Sequence, residues 1–494
     1  MLIWVCSGDK KKISFCHANP SMNRLVCLAC TSKLKNTLNQ LNGKYELIKD
    51  FDKNKTLTIK FRNFFNKNKI LDLNKISYQK IDLGKGVEST MLTLFKSKYN
   101  KDYKKDFSKK LLEQSFYILE AIKKIKKTHN LKKTYLFNGR HFNYRPILKY
   151  LNKIKSPIEC YDTSNYSEKI IFSKNNYPHN LILRSKNLLK IKISTKQKKL
   201  EIAGRRFFKK RLIENRSNNL IDNYEFSQTN ILPKGFDKKK LNIGIFNTSL
   251  WEFKSIVENK NFYLFKDDID CLEFLLKKYK KNQDIFFYFR CHPNMILEKK
   301  YLYKIKNIAN KFDNLKFIGP ASKISTKNLL KHSDITVNFG SSVALESAFF
   351  GKKVITLAPS IFLKFTFQKV FKIKKDFTNF IDKILILKNN NKLKFDQNAH
   401  KAAIIAAGCA HLEGKIFREV KTVDRYKQIY RYKNQNIILR SSILYHVLYM
   451  FINLTLAIKK LINFTLLDFN LSIKKLFSFI KRFINIYKRS EDDK

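Results

Sequence analysis

The chain has 494 residues, 44% of them hydrophobic, which is enough to bury real cores and too much for a disordered chain. Its formal net charge is +60, from 100 Lys and Arg against 40 Asp and Glu. The basic residues run along the whole length beside abundant Asn, Ile and Phe, with no zinc-finger or RNP-type signature, so they read as compositional drift that favours anionic lipid or substrate, and no specific nucleic-acid partner is expected.

The start, Met1 to Cys6, is an apolar run about one strand long with no basic region before it, so no secretory signal is expected and reduced thiols are the default. The first forty residues hold Cys6, Cys16, Cys27 and Cys30. Cys27-Leu-Ala-Cys30 has the spacing of a chelating pair, and Cys16 or Cys6 would help complete a tetrahedral zinc site. The other reading is that these are small buried apolar residues. A structural zinc on Cys16, Cys27 and Cys30 is therefore one expectation, and no other cofactor is required.

Residues 105–130 carry apolar side chains at helical spacing on a basic background, which predicts an amphipathic helix. A short apolar strand at 134–137 then ends in Asn138-Gly139-Arg140, a helix follows from Arg145 to Lys153, and residues 158–162 read as a second strand. Strand, helix, strand is a βαβ unit. Ligands of open parallel sheets bind beyond the carboxyl ends of the strands, which is where Asn138, Gly139 and Arg140 fall. Residues 186–240 are basic and polar and read as a connection.

A more regular alternation begins at Leu241. Strands are predicted at 241–246, 284–289, 315–318, 335–338 and 353–357, with helices at 271–280 and through Glu346. Their trailing loops are Asn247-Thr-Ser-Leu-Trp-Glu252, Arg290-Cys-His-Pro-Asn294 and Phe339-Gly-Ser-Ser342. The pattern predicts a doubly wound sheet. Residues 443–458 are almost wholly apolar, but Lys459-Lys460 break the run before the ~20 residues needed to span a bilayer. Apolar and basic residues then alternate to Lys488, as in a helix lying in the membrane interface; packing on the protein's own domains is the other reading.

The loops of the second half suit a nucleotide. Arg290 and His292 offer partners for phosphate oxygens, and Asn294 completes their turn. Gly340 permits close backbone approach, Ser341 and Ser342 supply hydroxyls and N–H groups at a helix start, and Glu346 is expected to reach a ribose hydroxyl. A transferase needs the leaving phosphate stabilised, which His292 and Arg290 can do, and a base for the acceptor hydroxyl. Glu252 is the first candidate base and Asp162 the alternative.

The segment from Ser333 to Thr356 resembles the donor-binding segment of capsule polysaccharide biosynthesis proteins of the GT-B type. Phe289-Arg-Cys-His-Pro-Asn294 is similar to their Arg-x-His-Pro-Asn element, Asn138-Gly-Arg140 with Arg145 to their Asn-Gly-Arg element, and Ser249 with Glu252-Phe253 to a Ser-Ser-x-x-Glu-Phe element; Tyr177-Pro-His-Asn180 also has a counterpart. The matches cover residues 130–360. Sialyl- and polysialyltransferases of this fold share the His-Pro and Ser-Ser elements, so the resemblance implies a CMP-linked donor held by His292, Ser341 and Ser342. Their acidic pair followed by Gly is not matched, which leaves the base and the donor open.

The resemblance implies an α/β fold of two Rossmann-like domains facing a cleft (GT-B), with a C-terminal amphipathic helical tail. The expected domains are an N-terminal acceptor domain at 1–185, a connection at 186–240, a nucleotide-sugar donor domain at 241–400 and a helical C-terminal region at 401–494. The expected function is a glycosyltransferase acting on a growing capsule, O-antigen or similar surface polysaccharide, cytoplasmic and peripheral on the inner membrane. Its partners would be a nucleotide-sugar donor, a polysaccharide or lipid-linked glycan acceptor and the membrane surface. The alternatives are a nucleotide-dependent glycerol-phosphate or other phosphate-unit transferase, and a non-enzymatic basic protein that binds lipid or nucleic acid.

Overall fold

The computed structural model describes residues 2–5, 45–48, 55–67, 73–95, 105–164, 166–167, 169–213, 231–233, 235–249, 255–256, 264–296, 298–416, 420–424, 429–432 and 435–438. Two compact units divide the chain. One comprises residues 1–69, 109–125 and 417–494, the other residues 70–108 and 126–416. The sheets on either side of residues 186–240 belong to one of these units.

In the first unit, β1 (Leu2–Val5) pairs in parallel with β2 (Tyr45–Ile48). Helix α1 (Lys55–Lys67) sets Phe61 and Phe64 against Phe116, with ring centroids 5.6 and 5.9 Å apart. Residues 420–438, expected to be helical, instead hold three antiparallel strands, Val420–Asp424, Ile429–Tyr432 and Gln435–Ile438. Val420, Thr422, Ile429, Tyr430 and Tyr432 are β-branched or aromatic and fit a pleated surface better than a helix. The cysteines Cys6, Cys16, Cys27 and Cys30 and the basic tail beyond residue 438 lie outside the described residues.

The second unit opens with a small antiparallel hairpin, β3 (Ser77–Tyr78) and β4 (Ile81–Asp82), and helix α2 (Gly84–Phe95). Arg145, grouped by sequence with the Asn-Gly-Arg element, is 4% exposed and its Nη2 pairs with Asp82 Oδ2 at 2.6 Å. Its charge is spent on bracing the hairpin. Helix α3 (Lys105–Thr128) passes through both units. The βαβ unit appears as predicted, with β5 (Thr134–Phe137), α4 (Arg145–Lys153) and β6 (Ile158–Thr163) and the two strands parallel. Strand β7 (Ile170–Lys174) joins antiparallel to β6 and closes a three-stranded sheet.

The described residues of the stretch expected to be a connection are largely helical. Asn180 caps α5 (Leu181–Ser194), accepting from Leu183 N at 3.0 Å, and α6 (Gln197–Phe208) follows before a π-helical turn at Lys209–Ile213. Buried Leu200, Ala203 and Phe207 of α6 pack with Ala403, Ile404 and Ala407, which belong to α12 (Gln397–Leu412). The two helices approach so closely that only glycine fits at Gly204 and Gly408, each with its ideal Cβ 2.8 Å from a carbonyl carbon of the opposite helix.

The second sheet has the order β10-β9-β8-β11-β12, all parallel. These are β8 (Leu241–Phe246), β9 (Ile285–Arg290), β10 (Leu315–Ile318), β11 (Ile335–Asn338) and β12 (Lys353–Thr356), matching the sequence expectation to within a residue or so. Every residue of β8 is buried, as a central strand requires. One face carries α7 (Asp268–Lys278), α8 (Lys299–Ala309) and α11 (Lys374–Asn389) over a core of Ile243, Phe287, Val337 and Ile355. The other carries α9 (Thr326–His332), α10 (Val343–Phe349) and α12. The chain winds outward from β8 to β10, then returns to add β11 and β12 on the other side of β8. That makes the fold α/β and doubly wound, with the topological switch between β8 and β11.

Candidate functional site

Two residues of the first sheet's loops, Arg140 and Tyr177, bond to residues 255–256, which follow β8 of the second sheet in the chain. On the side of the first sheet, Asn138 and Gly139 take left-handed backbone (φ +60 and +85), which turns the chain sharply after β5. A Cβ at Gly139 would sit 2.8 Å from Cys160 Sγ, so glycine is needed for space as well. The turn sends Arg140 outward, where its Nη1 donates to Ser255 Oγ at 2.5 Å. Tyr177 OH donates to Ile256 O at 3.3 Å. Asn138 turns inward, and its Nδ2 donates to Asp162 Oδ2 at 2.9 Å. The structure places Asn138, Gly139 and Arg140 just after β5, and Asp162 near the end of the neighbouring β6. Glu252, the first candidate base, lies outside the described residues.

On the side of the second sheet, the loops after β8, β9 and β11 flank the switch point. His292 caps a 3-10 turn, Pro293–Met295, with its Nδ1 accepting from Asn294 N at 3.1 Å. An acceptor at Nδ1 puts the proton of the neutral ring on Nε2. The imidazole is thereby set as an N–H donor, the form a phosphate oxygen needs. Its backbone N–H is anchored in turn, donating to Asn247 Oδ1 at 2.6 Å.

Behind that anchor runs a buried relay that the sequence did not announce. Asn247 Nδ2 donates to Tyr301 OH at 2.8 Å, and Tyr301 OH donates to Asp268 Oδ2 at 2.5 Å. Asp268 is fully buried at the start of α7. Burial pushes its carboxyl up to about 6, although the Tyr301 bond favours the charged form. Cys291, beside Asn247, is pushed by burial up to about 12 and stays a thiol.

Arg290 is only 2% exposed and faces no carboxylate among the described residues. Its Nε donates to Thr326 Oγ1 at 3.4 Å and its Nη1 to Gly319 O, so it staples the ends of β10 and α9 to β9. Burial lowers its pKa, and among the described residues its Nη2 has no acceptor. The buried Ser249 Oγ after β8 and Asn338 Oδ1 at the end of β11 are likewise without partners among the described residues. Phe246 is in register with both Arg290 and Asn338, so three neighbouring strands end side by side in this partly unsatisfied edge.

The loop after β11 turns at Gly340 (φ +78). Ser341 Oγ accepts from Val343 N at 3.3 Å. Ser342 Oγ accepts from Arg211 Nη2 at 3.3 Å, and Arg211 Nε donates to Glu346 Oε1. Glu346 is 6% exposed and its charge is met by Arg211 of the π-helical turn after α6, where the sequence suggested a ribose hydroxyl as its partner. Arg211, Asp268 and Tyr301 lack any motif signal because their partners are between 33 and 135 residues away. His179 was legible only as part of Tyr177-Pro-His-Asn180. No group of three or more potential metal-ligating residues occurs among the described residues. No described helix is long and apolar enough to cross a membrane.

No family model and no curated protein matches the chain. Among solved structures, KpsC of Thermosulfurimonas dismutans as a beta Kdo 2,4 transferase is similar at 12% identity, over 55% of this chain and 78% of its own, with a TM-score of 0.36. The same organism's KpsC as a beta Kdo 2,7 transferase aligns at 12% identity over 67% and 89%, with a TM-score of 0.34. A UDP-GlcNAc 2-epimerase from Neisseria meningitidis, bound to UDP-GlcNAc, aligns at 14% identity over 60% and 80%, with a TM-score of 0.28. Overlaps this loose establish neither fold nor chemistry for this chain, whose own residues must carry both.

Proposed function

We propose that this chain is a glycosyltransferase of the GT-B type that moves a sugar from a nucleotide-activated donor to a growing surface polysaccharide. One observation carries the reading: the loops that follow two α/β sheets bear groups suited to the two halves of a transfer, and Arg140 and Tyr177 on the side of the first sheet bond to residues 255–256, which follow β8 of the second sheet in the chain. The second sheet supplies donor-side chemistry. Among the described residues Arg290 keeps a buried N–H without an acceptor and Ser249 a buried hydroxyl without one, and His292 follows Arg290 by two residues, all near the switch point where such sheets bind nucleotides. A diphosphate or monophosphate leaving group satisfies these donors, and they stabilise the charge that grows on it as the glycosidic bond to the sugar breaks. The first sheet supplies the acceptor side, with Asp162 and its partners beyond β5 and β6. A CMP-linked donor, a lipid-linked glycan acceptor and a peripheral place on the membrane are parts of the same proposal, carried by the sequence elements alone.

Thermal-shift measurements of the full chain against CMP, CDP, UDP, GDP and CDP-glycerol test it. At least one nucleotide should raise the melting temperature, and His292→Ala should remove that rise while the unliganded protein melts as before. Loss of one hydrogen bond to a charged phosphate is worth about 1.5–3 kcal/mol, roughly ten- to a hundredfold in Kd. Stabilisation by CDP-glycerol alone would mark a phosphate-unit transferase instead. No response to any nucleotide would overturn the reading.

A further inference from the structure

The carboxylate at the end of β6 is occupied, and what it occupies itself with is an imidazole. Asp162 Oδ2 accepts from Asn138 Nδ2 and from His179 Nε2, each at 2.9 Å, and Oδ1 accepts from Thr163 N at 2.8 Å. Burial works against ionisation of Asp162, but the bonds from His179, Thr163 and Asn138 outweigh it and hold the carboxyl below the usual range. A carboxylate so satisfied is a poor proton acceptor. It is instead well suited to orient a ring. With Nε2 donating to Asp162, neutral His179 carries its lone pair on Nδ1. Among the described residues Nδ1 has no partner, and the side chain is 26% exposed, so the lone pair is open to an incoming group. Arg140, two residues from Asn138, and Tyr177, two residues from His179, both bond to the 255–256 segment beyond β8.

We propose that His179, oriented by Asp162, is the general base that takes the proton from the acceptor hydroxyl. This rests on the glycosyl-transfer reading above. In the step, the acceptor oxygen forms a bond to the anomeric carbon of the donor. The bond from that carbon to the nucleotide phosphate oxygen breaks, and the phosphate leaves with the electron pair. The acceptor proton passes to His179 Nδ1, and Asp162 stabilises the imidazolium that results. Asn138 is a positioning residue here, fixing Asp162 from the turn after β5. An exposed carboxylate is not needed for the step, which removes the requirement for an acidic pair that the sequence does not meet.

Two measurements on the full chain test the proposal. In 15N spectra of histidine-labelled protein, the resonance lost in His179→Gln should show a proton on Nε2 and a bare Nδ1 in the neutral form; a proton on Nδ1 overturns the proposal without reference to any substrate. The second uses the nucleotide sugar whose nucleotide stabilises the wild type, with a lipid-linked glycan extract as acceptor. His179→Gln keeps an N–H for Asp162 but has no basic nitrogen, so kcat should fall about 10²–10⁴-fold while Kd for the free nucleotide stays within twofold. Asp162→Asn should lower kcat as well and redistribute the proton between the ring nitrogens. Retention of more than a tenth of kcat by His179→Gln, or loss of nucleotide binding in parallel with activity, gives His179 a structural role and overturns the inference. A wild-type protein that binds no nucleotide sinks the proposed function itself, and the two failures are told apart by that control.

Discussion

Replacing Gly204 by alanine should loosen the donor side of the site from a distance. The ideal Cβ at this position lies 2.8 Å from the Ile404 carbonyl carbon, with the carbonyl oxygen nearer still, and 3.1 Å from Ile404 Cγ2. Backbone of α12 cannot step aside as a flexible side chain would, so α6 and α12 must part by at least ~1 Å to relieve the clash. A gap of that size forfeits about a quarter to a half of each dispersion contact along the crossing, which involves Leu200, Ala203, Ile404 and Ala407. Overpacking of a tight contact costs about 1–3 kcal/mol, and this crossing belongs at the upper end. The partner position is reciprocal: a Cβ at Gly408 would lie 2.8 Å from the Leu200 carbonyl carbon. One separation relieves both clashes, so Gly204→Ala and Gly408→Ala should be strongly non-additive, the double variant costing little more than either single one. Because α6 leads directly into the turn that carries Arg211, and Arg211 holds Glu346 and Ser342, nucleotide-induced stabilisation should weaken in step. Urea unfolding and nucleotide thermal shift of the two single variants and the double variant measure both effects. Costs that simply add, or a single-variant cost below about 0.5 kcal/mol, would refute the argument from close approach.

The buried Asp268 makes a pH prediction. Its folded-state pKa of about 6 is raised above the ordinary 3.8, so its contribution to stability is full below pH 3.8 and is lost as pH rises through 6. The span corresponds to roughly 3 kcal/mol. Asp162 and Asp396 have depressed values and act in the opposite sense, their contribution being lost as pH falls, so the wild type alone mixes the signs. The difference in urea stability between Asp268→Asn and wild type should therefore grow in the variant's favour from pH 4 to 7, and a flat difference would show that Asp268 does not titrate there. If Cys27 and Cys30 hold zinc, purified protein should carry about one equivalent by elemental analysis and lose it in Cys27→Ser; metal-free protein of unchanged stability would return these cysteines to apolar packing. A chain ending near residue 438 should no longer float with anionic liposomes, whereas the full chain should, in a manner reversed by high salt, since each basic charge near the surface contributes about 1 kcal/mol. Equal flotation of the two would assign the tail to packing on the protein.

What the sequence determined by itself was the run of elements through the second sheet. Strands such as Leu241–Phe246 and Ile335–Asn338 are buried on both faces, so each is a short unbroken apolar run, and the residues that follow must be loops at the carboxyl edge. Arg290 ends such a strand, and His292 and Ser341 follow such strands, which is legible because backbone periodicity depends on neighbours in the chain. Their partners were not legible. The anchor of His292 through Asn247, Tyr301 and Asp268, the capture of Glu346 by Arg211, and the pairing of Asp162 with His179 join residues that no local pattern relates. Compact-unit membership escaped the sequence for the same reason, since Phe61 and Phe64 meet Phe116 only through packing between distant stretches of chain. Local hydrogen bonding and hydrophobic period act over a few residues and write themselves into the chain in order. Charge pairing, tautomer choice and burial depend on which strand ends meet in space, and only the tertiary structure decides that.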